Sequence, residues 1–335
     1  MTIKDLAAAT GYSVGTISRV LNNQPNVSEK ARKIILRAAD EAGFQLNANA
    51  KQLKQQHGTS ILVMSKGISN ELFDRLVQSI QKQVALTSYP LVVDYIDENE
   101  NEVLRAVKLC RELKPLGILF LGGNRDNFLA HFHQIQQPCV LVTNDARDLP
   151  FRNLSSVSSD NVLAARMAID HLVALGHRKI AVIGGDRKLS DTTALRYRGC
   201  LEAFRDHGID FDENQDYESI RFSFDDGYRA AENLLRRGRE FTALFAMSDV
   251  MAIGAIRALA DAGKRVPEDV SVVGLDGLDI GRYMVPRLTT VEQAVEALAQ
   301  RSLQLLYSAM EANLPAAHET IAVTFLDRES ASQQP

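Results

Sequence analysis

Eight short runs of β-branched and aliphatic residues recur along the chain, spaced widely enough to hold a helix between neighbours. They are "SILVM" (60–64), "PLVVDY" (90–95), "GILFLG" (117–122), "CVLVT" (139–143), "KIAVIG" (179–184), "YESIRF" (217–222), "ALFAM" (243–247) and "VSVVGL" (270–275). Amphipathic stretches such as 70–87 and 99–113 lie between them. A short apolar run bounded by polar turns suits a strand buried on both faces, and strand–helix alternation gives parallel sheets covered by helices on both sides. The runs fall into two series, so the body is expected as an α/β core of two doubly wound lobes.

The first 60 residues carry a different pattern. Eight Lys or Arg (Lys4, Arg19, Lys30, Arg32, Lys33, Arg37, Lys51, Lys54) face four acids (Asp5, Glu29, Asp40, Glu41), a net of +4 in a chain of net −4. A small basic head on an acidic body suits nucleic acid, although a charge run is also what a solvated helix face looks like. Thr2 can cap a first helix, with Asp5 at capping-box spacing. Gly11-Tyr12 breaks it, and Ser13 caps a second helix with Val14, Ile17, Val20 and Leu21 on one stripe. Ser28 caps a third, which runs to about Ala42 with Ile34, Ile35, Ala38 and Ala42 inward. Two helices at a Gly-containing turn, closed by a third, make an all-α helix-turn-helix. Thr16, Ser18, Arg19 and Asn22 fall outside the apolar stripe of the second helix. A helix entering the major groove needs short polar side chains, an Arg or Asn for base edges and no carboxylate to repel phosphate. A three-helix core with a merely polar outer face is the alternative at this point.

The chain of 335 residues, 45% apolar and 24% charged, fits two or three globular domains. No apolar run approaches the ~18–20 residues of a membrane span, and the N-terminus lacks a signal-peptide h-region, so a cytoplasmic protein is expected. Cys110, Cys139 and Cys200 are far apart and lack metal-ligand spacing, so neither metal nor cofactor is expected. No phosphate-loop, dinucleotide, nucleophile-elbow or H-E-x-x-H motif is present, so catalysis is not expected. In open α/β sheets, ligands sit beyond the carboxyl ends of the strands. Lys66, Asn70 and Phe73, Asn124 and Arg125, Asn144 and Asp145, Asp186 and Arg187, Ser248 and Asp249, and Asp276 all follow such ends. Asp, Asn and Arg beside a few rings is chemistry that holds sugar hydroxyls. Ser248-Asp249 is either part of such a site or only a helix N-cap. If several of Lys66, Arg125, Arg187 and Arg196 face the cleft, the ligand is anionic.

The sequence resembles the lactose-repressor (LacI/GalR) family of bacterial transcription regulators. The resemblance rests on "TIKDLAAATGYSVGTISRVLNNQPNVSEKARKIILRAADEAGF" (2–44), "DNVLAARMAIDHLVALGHRKIAVIGG" (160–185), "RYRG" (196–199), "ALFAMSDVMAIGAIRALADAGKRVPEDVSVVGLDG" (243–277) and "VPRLTTVEQ" (285–293). It implies a helix-turn-helix head at 1–45, a hinge helix or linker at 46–58 and a periplasmic-binding-protein-like core at 59–335. The N-lobe would hold about 59–160 and 291–322, and the C-lobe about 161–290 and 323–330, with "TIAVTF" (320–325) as a final strand. It also implies that Thr2, Ser13, Val14, Gly15, Thr16, Ser18, Arg19 and Asn22 serve DNA binding from the head. Asn47, Ala50, Lys51, Leu53 and Lys54 would do so from the hinge, with Leu53 as a wedge between base pairs. Leu46 stands where the family usually has Pro, and Lys51 where it usually has Arg, which loses the planar fork. Effector contacts would come from Asn70, Phe73, Asp160, Arg196, Ser248, Asp249, Asp276 and Gln293. Ser248 replaces a more usual Asn, and Gly277 a common second Asp. The expected function is a homodimeric repressor of sugar-utilisation genes, released from a palindromic operator on double-stranded DNA by a small sugar-like effector. The alternative is a corepressor-dependent or activating regulator that answers a phosphorylated or acid sugar.

Overall fold

The chain divides into two compact units, Met1–His57 and Gly58–Pro335. The computed structural model describes residues 7, 9–13, 16, 17, 20 and 27–41 of the first, and 58–67, 70–312 and 314–334 of the second. In the first unit Ser13 Oγ accepts from the Thr16 N–H at 3.2 Å and meets the Thr16 hydroxyl at 2.9 Å, the N-cap that the sequence predicts. Ser28 caps α1 (Glu29–Glu41), accepting from the Ala31 N–H at 3.3 Å. Ile17, Val20, Ile35 and Ala39 form one small core, and Ala31 is buried as well. The inward stripe of α1 therefore runs Ala31, Ile35, Ala39, four residues apart, and Ile34 is turned out at 40% exposure instead of facing in. Thr2, Val14, Gly15, Ser18, Arg19, Asn22, Asn47, Ala50, Lys51, Leu53 and Lys54 lie outside the described residues.

The second unit is two sheets wound through one chain. The first lobe takes β1 (Ile61–Lys66), α2 (Glu71–Val84), β2 (Leu91–Ile96), α3 (Glu102–Leu113), β3 (Gly117–Leu121), α4 (Arg125–His131), β4 (Cys139–Val142) and β5 (Leu154–Ser159). The second takes α5 (Asn161–Ala174), β6 (Ile180–Gly184), α6 (Asp191–Asp206), β7 (Tyr217–Ser219), α7 (Phe224–Arg236), β8 (Ala243–Ala246), α8 (Asp249–Asp261), β9 (Ser271–Asp276) and β10 (Thr289–Gln293). The chain then returns to the first lobe for α9 (Val295–Ala312) and β11 (His318–Ile321), and ends in the second with β12 (Val323–Leu326). The sheet orders are β11-β5-β4-β3-β1-β2 and β12-β10-β9-β8-β6-β7. Among the described residues, only the β10–β12 pairing is antiparallel.

Both sheets are buried on both faces, which is why their central strands read as unbroken apolar runs. In the first lobe α2 and α9 bury Leu76, Ile80, Leu298 and Leu306 on one face, while α3 and α4 close the other around Phe120, Phe128 and Phe132. In the second, α5 and α6 cover one face and α7 and α8 the other. The last pair meets backbone to backbone. A Cβ on Gly254 would lie 2.1 Å from the Phe224 carbonyl oxygen, and one on Gly227 would lie 2.4 Å from that of Met251. A backbone oxygen cannot swing aside as a side chain can, so overpacking here destabilises by about 1–3 kcal/mol. Gly254→Ala is expected to lower the melting temperature of the body by several degrees, read by circular dichroism. An unchanged melting temperature would show that α7 and α8 slide apart freely.

The chain crosses between lobes at 160, at 294 and at 322. Three expectations change. Residues 291–293 belong to the second lobe, because β10 pairs with β9 as far as Glu292 and with β12 as far as Gln293. The run "TIAVTF" is not one strand: it breaks at Ala322 into β11, on the first sheet, and β12, on the second. The strand in "YESIRF" stops at Ser219, and residues 220–223 turn toward the cleft.

Candidate effector site in the interlobe cleft

The carboxyl ends of both sheets face one cavity of about 500 Å³. The second lobe supplies its most buried charges. Arg196, on α6, is 4% exposed. Its Nε donates to Asn161 Oδ1 at 2.8 Å and its Nη1 to the Met247 carbonyl at 2.5 Å. Its Nη2 stands 3.7 Å from Asp276 Oδ1. Asp276 ends β9 with φ 127°, a backbone angle that a non-glycine residue rarely adopts. The guanidinium is thus held by two fixed acceptors, with its Nη2 toward the Asp276 carboxylate. Gln293 Nε2 donates to Asp276 Oδ1 at 2.8 Å from behind. Burial pushes the Asp276 carboxyl up to about 7, and Arg196 pulls it back only in part.

The first lobe supplies the opposite wall. Asn70 caps α2, its Oδ1 accepting from Leu72 N at 3.1 Å and Phe73 N at 3.4 Å, and this fixes the first turn that carries Phe73. The Phe73 ring packs where Gly122 has no side chain: a Cβ there would fall 2.9 Å from it. Thr143 and Asn144 follow β4, with Thr143 at φ 76°. The Thr143 hydroxyl donates to Asn144 Oδ1 at 3.2 Å, and Asn144 Nδ2 donates to the Gly123 carbonyl at 3.2 Å. A β-branched residue in the left-handed region is strained, and such strain concentrates where a side chain must be aimed. Phe222 faces the cavity from the second lobe.

Of the eight expected effector residues, Asn70, Phe73, Arg196 and Asp276 line this cavity. Gln293 stands behind Asp276. The other three do not line it. Asp160 caps α5, accepting from Leu163 N at 2.9 Å, and Ser248 caps α8, accepting from Met251 N at 3.3 Å. Asp249 is fully buried and committed elsewhere: it accepts from Thr290 Oγ1 at 2.6 Å and from Leu278 N at 2.7 Å. Burial raises its carboxyl to about 6 against those bonds. The strand-end rule leads to the cavity's edge but not to which way each side chain turns. Sequence reasoning missed the far end of the cavity, Asp97–Asn99 after β2 and Ser219–Asp226 after β7, although both obey the same rule.

Charge in the cavity runs against an anionic ligand. Asp97, Glu98, Asp186, Asp226 and Asp276 line it, against Lys66, Arg196 and Arg221. Each of those cations already faces a carboxylate: Lys66 bonds Glu102 at 2.5 Å, Arg221 bonds Glu98 at 2.7 Å, and Arg196 faces Asp276. Arg125 and Arg187 are outside the lining, and Arg187 lies over the Tyr197 ring at 4.1 Å and bonds Glu213.

A basic three-helix head and a two-lobed core with a sugar-compatible cleft define a ligand-responsive DNA-binding regulator. Residues 2–47 match the bacterial regulatory proteins of the lacI family, and residues 169–331 match the periplasmic binding protein-like domain. Over 335 residues the chain is 31% identical to the HTH-type transcriptional regulator MalR of Clostridium butyricum, covering 98% of this chain and 99% of that protein. It is 30% identical over 312 residues to the ribose operon repressor of Halalkalibacterium halodurans, covering 92% and 90%. Among solved structures it is similar to a complex of the transcriptional regulator CelR with cellobiose, with a TM-score of 0.72 and 27% identity over 99% of this chain and 100% of that one. The chain belongs to the lacI family of bacterial transcriptional regulators.

Proposed function

We propose that this protein represses sugar-utilisation genes from the cytoplasm, as a homodimer on a palindromic operator, and that an uncharged sugar in the cleft releases it. The observation that carries this is the buried row Arg196–Asp276–Gln293 at the inner end of a cavity whose acids outnumber its bases. Fixed carboxylate and guanidinium groups hold hydroxyls, and Phe73 and Phe222 offer apolar faces to a ring. The alternative of a phosphorylated or acid sugar is not favoured, since every lining cation is already matched by an acid.

Both lobes line the cavity, so a ligand touching both favours one lobe arrangement over another, which is the differential affinity that a switch requires. Contacts that bridge the lobes must break or re-form in such a change, among them Arg75 Nη1 to the Gly277 carbonyl at 3.0 Å, Arg125 N to Asp191 at 3.0 Å, Asn124 Nδ2 to the Leu189 carbonyl at 3.3 Å, and Arg221 to Glu98. On the DNA side, Thr16, Ser18, Arg19 and Asn22 are proposed as recognition-helix contacts. Asn47, Ala50, Lys51, Leu53 and Lys54 are proposed as hinge contacts.

The experiment is selection of an operator from random DNA by the full-length protein, followed by release with neutral and phosphorylated sugars. A palindrome released by a neutral sugar is expected. Release by phosphorylated sugars alone, or tighter DNA binding with sugar, would overturn the induction reading.

A pH dependence follows from Asp276. Sugar hydroxyls donate best to the ionised carboxylate, and burial pushes that carboxyl up to about 7. Binding then favours the deprotonated form, so affinity rises from pH 6 to pH 8 and binding at pH 6 releases a proton. For the fold itself the sign is opposite: the folded state holds this proton longer than the unfolded chain does. The group's contribution to stability is therefore greatest in acid and is lost as pH rises through about 7. Calorimetry in buffers of different ionisation enthalpy measures the proton. A pH-independent affinity with no proton release would remove Asp276 from the contact.

A further inference from the structure

The cleft is longer than one sugar ring. On the first lobe its wall is built from the residues after β4, β3, β1 and β2, four adjacent strands. On the second it is built from the residues after β9, β6 and β7, in a sheet ordered β9-β8-β6-β7. Neighbouring strands lie about 4.8 Å apart, so each wall spans three spacings, about 14 Å. By bond lengths of about 1.5 Å, the oxygens on opposite corners of a six-membered sugar ring are roughly 5.5 Å apart. A single ring fills less than half of that length, and two linked rings fill most of it. The cavity volume of about 500 Å³ also lies within the roughly 300–1,000 Å³ of drug-sized ligand sites.

The two ends differ in kind. At the β4/β9 end, Thr143, Asn144, Arg196 and Asp276 are all buried and are held by the hydrogen bonds described above. This end can read one ring strictly. At the β2/β7 end, Asp97, Asn99 and Ser219 are partly or fully exposed, and the Arg221–Glu98 pair ties the two lobes together at 2.7 Å. Asp97, Glu98 and Asp226 outweigh Arg221 there, so a phosphate or carboxylate on a second ring meets repulsion. Between the ends the walls thin to backbone at Gly122, Gly123 and Gly185. Phe73 and Phe222 pack on two of those glycines, one from each lobe: a Cβ on Gly185 would fall 2.7 Å from the Phe222 ring.

We propose that the effector is an uncharged disaccharide lying along the cleft, one ring at Arg196 and Asp276 and the other between Asp97–Asn99 and Ser219–Phe222. This rests on the sugar-effector reading above. The test is calorimetry on the full-length protein with maltose, cellobiose, lactose, melibiose, glucose, galactose and glucose 6-phosphate. At least one disaccharide is expected to bind 30-fold or more tightly than its component monosaccharides, with glucose 6-phosphate the weakest. The double variant Asn99→Ala, Ser219→Ala alters exposed side chains and is expected to fold normally. It should weaken the disaccharide about tenfold, with the loss falling on the disaccharide and not on the monosaccharide. A monosaccharide or glucose 6-phosphate binding as tightly as any disaccharide, or a disaccharide indifferent to the double variant, overturns the two-ring proposal and leaves a sugar effector standing. Absence of binding by every sugar overturns both.

Discussion

Asp276→Asn leaves operator binding as it was and raises the sugar concentration needed for release by about 100-fold. The size follows from hydrogen bonds to a charged group, roughly 1.5–3 kcal/mol each against about half of that for neutral ones, with two hydroxyls within reach of one carboxylate. Stability is expected to change little. Breaking a buried ion pair is ordinarily severe, because it strands a charge. Here burial pushes the Asp276 carboxyl up, so the site already tolerates the uncharged form better than an ordinary ion pair does. Arg196 keeps its bonds to Asn161 and to the Met247 carbonyl. Asn fills the same volume, and its Oδ1 can still accept from Gln293. The check is a sugar titration of the operator complex, with operator affinity measured without sugar. Release at the parent concentration would show that Asp276 does not touch the effector. A loss of operator affinity without sugar would show that it sets the lobe arrangement instead.

The same site shows what a sequence discloses and what it hides. The central strands were legible because residues such as Ile118–Leu121 are buried on both faces and carry no polar atoms. β5, "LSSVSS", was not, although it is equally buried. Two of its four hydroxyls are matched by residues far along the chain: Ser155 Oγ accepts from Ala317 N at 3.2 Å, and Ser156 Oγ meets His318 Nδ1 at 2.9 Å. A buried serine strand reads as a turn until its partner strand is known. The break in "TIAVTF" is hidden for a related reason, since period and propensity are continuous across Ala322 and only the two sheets differ. At the site, Ser248 and Asp249 occupy a strand end as Asp276 does. The Asp249 carboxylate turns back to Thr290 and to the turn at Leu278, contacts that join residues 29 and 41 positions apart. Lys66 likewise looked like a free cation until Glu102, buried on α3, came against it. Position along a strand is local and can be read; orientation is set by partners that the sequence does not place.

Leu53→Ala weakens operator binding about 100-fold and leaves sugar binding unchanged. The family resemblance puts Leu53 where each subunit drives an apolar wedge into a base step, so a dimer loses two wedges at once. Truncating a leucine removes about 2 kcal/mol of apolar burial per copy at roughly 0.8 kcal/mol per methylene. Part of that is returned because the step no longer has to unstack, which itself takes a few kcal/mol. Charge separates this loss from simple detachment of the hinge. A wedge neutralises no phosphate, so the slope of log affinity against log salt should stay as it was. Lys54→Ala gives up one phosphate contact per subunit, two per dimer, and should make that slope shallower by about 1.8 while costing less affinity at low salt. Parent-like operator affinity in Leu53→Ala would sink the wedge. A shallower salt slope in the same variant would mean that the hinge had come away from the backbone altogether, and the effect would then belong to Lys51 and Lys54 rather than to Leu53.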